Sequence, residues 1–517
     1  MFKKLLSDKG ATCPKTMRYA SIGLIFLLAV LITGCTTLGP DYSRPEAAVE
    51  SDWLEAGEPR ITSEQPVDPR WWETAFNEPE LDQLVETALQ QNLSLRSAGL
   101  RVLQSQQQLA IAIGNQFPQQ QQASGSVSKQ KSNDITFNNY SLGLNLGWEI
   151  DFWGRFRLQV ESASAELDAS VANYDGVLVS LVSQVAQNYI LIRTFRDRLE
   201  VARKNVKIQA ESLRITRAKF DAGQVSELDA DQAESLLNNT KASVSSLEIS
   251  LQQLKNSLAI LLGKPPQEYN YLLGEQGGIP SPPAEIALGM PQDIIRQRPD
   301  IRGAERQLAA QGAQIGFAVT ELYPHFSIGG AIGTTTENRG DLFKGKSEKW
   351  NLSGMFEWNI FNYGRLRSNV RLQDALFQQL LVDYLNTVLQ AQGDVENAIV
   401  AYLKSHEQLA SYKLAADASQ RAVNVATIQY QEGAVGFNTL VTTLNANVQQ
   451  QDLLSSTQGS VATNLVQVYR ALGGGWQIRD NRDPVELLPE DMKDEMRQRT
   501  RAWKGVLNSD KESVQEK

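Results

Sequence analysis

The chain repeats itself, and the repeat limits what it can fold into. Residues 148–157 read WEIDFWGRFR and residues 358–367 read WNIFNYGRLR, 210 positions further on. The same offset carries Gly223 onto Gly433 and Leu262-Gly263 onto Leu472-Gly473 without a gap. An offset of 206 carries Asn92–Ala98 onto Arg298–Ala304 and Phe117-Pro118 onto Tyr323-Pro324. One unit of about 200 residues therefore occurs twice, and the fold is pseudo-symmetric. The boundaries read as a first repeat over 71–263, a linker rich in Pro and Gly over 264–290, and a second repeat over 291–476.

Each repeat changes period along its length. After Trp71-Trp72 and Pro79, residues 80–115 carry Leu81, Leu84, Val85, Ala88 and Leu89 at helical spacing, and Pro118 ends the helix. Over 119–153, Leu142, Leu144, Leu146, Trp148, Ile150 and Phe152 alternate with Gly143, Asn145, Gly147, Glu149 and Asp151. Strict alternation is a strand with one apolar face, and its length suits a membrane strand of about 9–11 residues. Residues 121–128 form its partner, with Ser132-Asn133-Asp134 in the connecting loop. The second hairpin, 325–361, repeats the pattern through Leu352, Gly354, Phe356, Trp358 and Ile360. An ordinary half-buried hairpin would alternate in the same way. Trp148, Trp153, Trp358 and Tyr363 cluster near the strand ends, where interfacial aromatic belts sit, and that favours the membrane.

A long helix follows each hairpin, over 157–221 and 367–431, with the seven-residue steps of helices packed side by side. Sixty-five residues at the helical rise reach roughly 100 Å. Each rod ends at a glycine turn, Gly223 or Gly433, and returns over 227–262 or 438–472. Two hairpins give four strands, too few to close a barrel, and an open sheet edge in lipid costs several kcal/mol per unpaired backbone group. Two, three or four chains could complete a ring. The expected fold class is mainly α with membrane β.

The ends set the compartment. Residues 1–34 hold Lys3, Lys4, Lys9, Lys15 and Arg18, then the apolar run 22–32, which has the make-up of a signal peptide. Met17 is an alternative start. The run closes on Ile32-Thr33-Gly34-Cys35, which resembles the bacterial lipoprotein signal, so Cys35 is the expected lipidation site. Thr36 rather than an acid follows, which by the same resemblance points to the outer membrane. Cys13 leaves with the signal, so the mature chain has no disulfide. Residues 35–70 read as an extended tether, and 477–517 as a charged, mobile tail with a short helix around 490–504.

The net charge of −9 argues against nucleic acid. A mean hydropathy of −0.32 excludes a multi-helix membrane protein but not a β-barrel. No catalytic or metal constellation is present: His325 and His406 are isolated, and HExxH, P-loop and GxSxG patterns are missing. The chain does not read as an enzyme, and it needs no cofactor beyond the lipid on Cys35.

The WWxxF opening (Trp71, Trp72, Phe76), the WEIDFWGR block, the glycine turns and the run Tyr469–Trp476 resemble the TolC-like outer-membrane factor family. Cys35 and Gly39-Pro40-Asp41-Tyr42 resemble its lipoprotein branch, which serves resistance–nodulation–division efflux systems. The resemblance implies a homotrimer with a twelve-stranded β-barrel continued by a long periplasmic α-helical barrel. It implies a periplasmic adaptor and an inner-membrane pump as partners. It also implies that Gly223, Val225, Ser226, Gly433 and Val435 form the helical tips that meet the adaptor. Many relatives carry an acid just beyond the second turn, whereas here 438–445 has none. Asp221, Glu227, Asp229 and Asp231 crowd the first turn instead. They read either as the charge of the periplasmic entrance or as solvated charges near a helix N-terminus. A type I secretion outlet shares this architecture. A lipid-anchored coiled-coil scaffold would explain the rods but not the hairpins.

Overall fold

The computed structural model describes residues 37–62, 68–132, 134–266, 273–274, 277–283, 285–289, 291 and 297–507. Cys35 and Cys13 lie outside them. In chain order the elements are β1 (Ile61–Thr62), α1 (Trp71–Phe76), α2 (Pro79–Gln91), α3 (Leu93–Gly114), β2 (Gln120–Ser132) and β3 (Ile135–Ile150). Then come α4 (Arg155–Asp221), α5 (Glu227–Leu261), β4 (Ile286–Ala287), α6 (Pro299–Thr320), β5 (His325–Thr336) and β6 (Glu348–Glu357). The chain finishes with α7 (Arg365–Gln431), α8 (Phe437–Ala471) and α9 (Glu490–Arg499). Helices α7 and α8 begin and end 210 residues after α4 and α5, and α6 does so 206 residues after α3.

The repeats are units of sequence but not compact bodies. One compact unit gathers the chain up to Pro45 with Ser105–Leu167 and Arg306–Val382; the other gathers Glu46–Gln104, Asp168–Glu305 and Asp383 onwards. Each takes segments from both repeats: β3 pairs with its counterpart β5 in the first unit, and α5 touches its counterpart α8 in the second.

In the first unit, β2, β3, β5 and β6 form one antiparallel sheet in that order. Strand β2 is longer than the segment 121–128 suggested. It runs to Ser132, which pairs with Ile135, and Asp134 takes the left-handed φ of +64° in the tight turn. The second pair is joined less tightly, through 3₁₀ turns at Arg339–Asp341 and Gly345–Ser347. Helix α4 starts at Arg155, earlier than residue 157, because the Asp151 carboxylate accepts from the backbone N–H groups of Phe156 (3.0 Å) and Arg157 (3.1 Å). That satisfies two orphan donors of the first turn.

In the second unit, β1 and β4 pair in parallel. Trp71 is fully buried, stacked on Tyr469 at 4.9 Å with Trp72 edge-on at 5.8 Å, and Phe76 is buried nearby in sequence on the same short helix. The WWxxF opening is thus a core anchor. The expected single helix over 80–115 is broken at Asn92, which is extended (ψ 125°). Its side-chain oxygen accepts from Leu95 N–H (2.9 Å) and its amide donates to the Leu261 carbonyl (2.8 Å). An Asn that caps one helix while tying down another makes the break stable. Helix α4 contains a stretch long and apolar enough to cross a membrane by composition, but 61% of it is buried inside the chain, as in a core helix.

Two terminal expectations need correction. The segment after residue 476 is packed rather than mobile through Leu507. Arg479 pairs with the fully buried Asp175 at 2.8 and 3.2 Å, Arg302 reaches the same carboxylate at 3.3 Å, and Val485, Leu488 and Leu507 are buried. Leu488 seats against Gly99, where a Cβ would lie 2.9 Å from its methyl. The expected tether is extended, but from residue 37 it lies against the body. Leu38 N–H bonds the Trp153 carbonyl (3.2 Å), and the Tyr42 ring packs on Ala165, Ala309 and Ala310. Further on, Ala47 and Val49 cover Ile301, Tyr384 and Val388, and Trp53 is buried with its indole donating to the Gly289 carbonyl (3.0 Å). Gly39 explains its own motif: at φ +129° it crosses Gly316 so closely that a Cβ would fall 2.5 Å from that backbone.

Candidate functional site

The first feature is the sheet of the first unit, which is inside out relative to a water-soluble one. Along β3 from Leu142 onwards, Leu142, Leu144, Leu146, Trp148 and Ile150 are the exposed residues, while Gly143, Asn145, Gly147 and Glu149 are the more covered ones. Phe326, Ile328 and Ile332 on β5 and Trp350, Leu352 and Phe356 on β6 are exposed as well. A contiguous apolar face of this size on three neighbouring strands marks an interface with lipid or protein. The opposite face carries small and polar groups, including Ser126 and Ser141, whose hydroxyls bond at 2.8 Å, and Asn145, which donates to Ser124 (3.2 Å). Strands β2 and β6 end the sheet, so each leaves one edge unpaired within the chain.

The sequence-derived aromatics sit at the foot of these strands. The Trp148 indole donates to the Gln116 carbonyl (3.3 Å), and the Trp358 indole donates to the Leu322 carbonyl (3.0 Å). These are the same bond in the two copies: each ties a strand end to the chain just after α3 or α6. Trp153 is half-buried, donates to the Pro324 carbonyl (2.9 Å), and packs edge-on to Phe152 and at a tilt against Tyr323. Tyr363 is fully exposed, with φ +50°.

The second feature is the pair of helical turns in the second unit. Gly223 (φ +70°) and Gly433 (φ +75°) each close a Schellman cap. Gln224 N–H reaches the Lys219 carbonyl (2.9 Å) in one, and Ala434 N–H reaches the Gln429 carbonyl (2.8 Å) in the other. Nothing lies within 4 Å of a Cβ placed on either glycine, so both turns face open space. Val225 and Val435 are half-buried, and Val435 packs on a cluster that includes Tyr430, Phe437, Leu440 and Leu444.

The turns differ in how they are capped. Ser226 and Asp229 form a capping box: the Asp229 carboxylate accepts from the Ser226 N–H and hydroxyl, both at 3.0 Å. Asp229 therefore serves the N-terminus of α5, whereas Asp221, Glu227 and Asp231 are exposed. Gly436 stands where α8 begins and supplies no side-chain cap. Lys219 links the two copies. Its ammonium donates to the Tyr430 (2.6 Å) and Gln431 (3.2 Å) carbonyls and lies 4.6 Å over the Tyr430 ring. A cation on the last carbonyls of α7 is well placed in that helix's field. Sequence reasoning missed this contact, since nothing local pairs Lys219 with residues 211 and 212 positions away.

The sequence profile of the outer membrane efflux protein family matches residues 84–264 and 290–474, that is, both copies and more than half the chain. The chain belongs to the outer membrane efflux protein family. Nodulation protein T of Rhizobium leguminosarum bv. trifolii is 32% identical to it over 442 residues, covering 84% of this chain and 91% of that one. The cation efflux system protein CusC of Escherichia coli is 28% identical over 457 residues, covering 87% and 99%. Among solved structures, the outer-membrane channel OprN superposes with a TM-score of 0.80 at 30% identity, covering 85% of this chain and 99% of its own. This outer membrane efflux protein is thus a channel of the outer membrane with a TolC-like fold. No group of three or more His, Cys, Asp or Glu side chains is arranged for a metal among the described residues.

Proposed function

We propose that this chain is the exit duct of a tripartite efflux system, assembled as a homotrimer and anchored by a lipid on Cys35. The observation that carries the trimer is the pair of unpaired edges, β2 and β6, flanking a sheet whose apolar face is exposed. Four strands cannot wall off a lumen in hydrocarbon, and joining β6 of one copy to β2 of the next satisfies both edges at once. Three copies give twelve strands, the number the family resemblance implies. The polar strand face then lines the conduit. The exposed turns at Gly223, Val225, Ser226, Gly433 and Val435 would meet a periplasmic adaptor, which couples the duct to an inner-membrane pump of the resistance–nodulation–division type. Asp221, Glu227 and Asp231 would give the periplasmic entrance a negative field, with Asp229 contributing mainly through its cap. The cargo is small molecules whose identity is set by the pump; the relatives' names range from nodulation protein to cation efflux system protein.

Paired cysteines placed on β2 and β6 test the assembly. Oxidation should yield a covalent three-chain ladder from outer membranes, and deletion of the gene should raise accumulation of pump substrates in cells. A monomeric, water-soluble mature chain would sink the reading. A Cys35→Ala variant should lose incorporated fatty acid while the oligomer persists.

A further inference from the structure

The foot of the sheet carries a charge network that the duct reading does not use. His325 opens β5, and its Nδ1 lies 3.0 Å from Glu149 Oε1 on β3. On the other side it stands in register with Glu357 of β6. Both neighbours belong to the polar face, because Phe326, Trp148, Ile150 and Phe356 alternate onto the apolar one. Glu149 also accepts from the Arg155 guanidinium at 3.0 and 3.2 Å, and Arg155 reaches Glu321 at the end of α6 at 3.1 Å. Asp151 and Arg157 are paired beside it at 3.2 Å. The second copy departs here. Asn359 and Phe361 stand where Glu149 and Asp151 stood, and Arg365 and Arg367 are exposed at the start of α7. His325 is therefore the one group in this ring of fixed charges whose kind changes charge between pH 5 and 8.

We propose that His325 makes the ion preference of the lumen at the foot of the barrel respond to pH. The inference rests on the trimeric duct reading. Protonation adds one positive charge per chain at a position between Glu149 and Glu357. In a closed trimer that is three charges on one level of a water-filled passage with low-dielectric walls, where rings of charge set ion selectivity. Whatever the balance of Glu149, Asp151, Glu321, Glu357, Arg155, Arg157, Arg365 and Arg367 at neutral pH, acidification moves it toward anions.

The test is the reversal potential of the full-length trimer in planar bilayers under a KCl gradient, at pH 7.5 and 5.5 and at low ionic strength, where screening is weakest. The wild-type cation-to-anion permeability ratio should fall on acidification. His325→Asn should lose that pH shift and hold the neutral value. His325→Lys should sit at the acid value at both pH values, and His406→Asn should keep the wild-type shift. A conducting channel whose reversal potential ignores pH, or an Asn variant that retains the shift, overturns the role of His325. Reconstituted trimer that passes no current at either pH overturns the duct reading itself, and the inference with it.

Discussion

Replacing Leu144 by Lys places a charge on the exposed face of β3, whereas replacing its neighbour Asn145 by Lys places the same charge on the other face. The strand rises about 3.4 Å per residue, and membrane strands tilt by roughly 40°, so an apolar band about 25 Å tall takes ~10 residues. Counted from Ile150 at the foot, where the Trp148 indole is tied to the Gln116 carbonyl, the middle of that band falls near Leu144 and Leu146. Leu144 is 60% exposed in the chain, so little packing is lost with it. The cost is then the lipid term, about 2–4 kcal/mol for Lys near the midplane of a barrel. It is paid in every copy. Asn145 donates to Ser124 at 3.2 Å, and losing one exposed side-chain bond costs about 1 kcal/mol. The assay is the fraction of each variant recovered as folded, heat-modifiable oligomer from outer membranes, followed by its melting in detergent. Leu144→Lys should be depleted severalfold and Asn145→Lys nearly normal. Equal recovery of the two, or the reverse order, would refute the assignment of the exposed face to lipid.

Other outcomes follow from particular contacts. Arg479→Ala strips one partner from the fully buried Asp175 and should cost about 3–5 kcal/mol locally, read as faster amide exchange at Val485, Leu488 and α9. Ser226→Ala removes the hydroxyl half of the α5 capping box and should cost about 1 kcal/mol, whereas Gly436→Ser at the matching turn should gain a few tenths, measured by exchange in the first turns of α5 and α8. Gly223→Ala at φ +70° should loosen its turn by about 1–2 kcal/mol, with Gly223→Asn milder, checked by proteolysis at the turn. Burial against Tyr402 holds the His406 imidazole below its ordinary value of 6.5. The folded state therefore takes up that proton less readily than the unfolded one, so stability should decline as pH falls below about 6.5. A His406→Phe variant should flatten that part of the pH–melting curve.

Periodicity is a local property, and it was fully present in the sequence. Alternation along Leu142–Ile150 and the seven-residue steps of 157–221 follow from which face a side chain takes, and neither needs a partner to be read. The glycine turns were legible because only glycine takes the left-handed cap at little cost. The duplicated blocks located the equivalent elements, and the strand count already implied that sister chains complete the sheet. Contacts between distant segments were not legible. Nothing near Asn92 says that its amide will meet the Leu261 carbonyl, nothing near Gln477 says that Arg479 will find Asp175, and His325 looked isolated until β3 brought Glu149 beside it. Those pairings depend on how the two copies interleave into two compact units. Interleaving is settled by packing across hundreds of residues, because a buried charge or amide is stable only where a partner arrives from elsewhere in the chain.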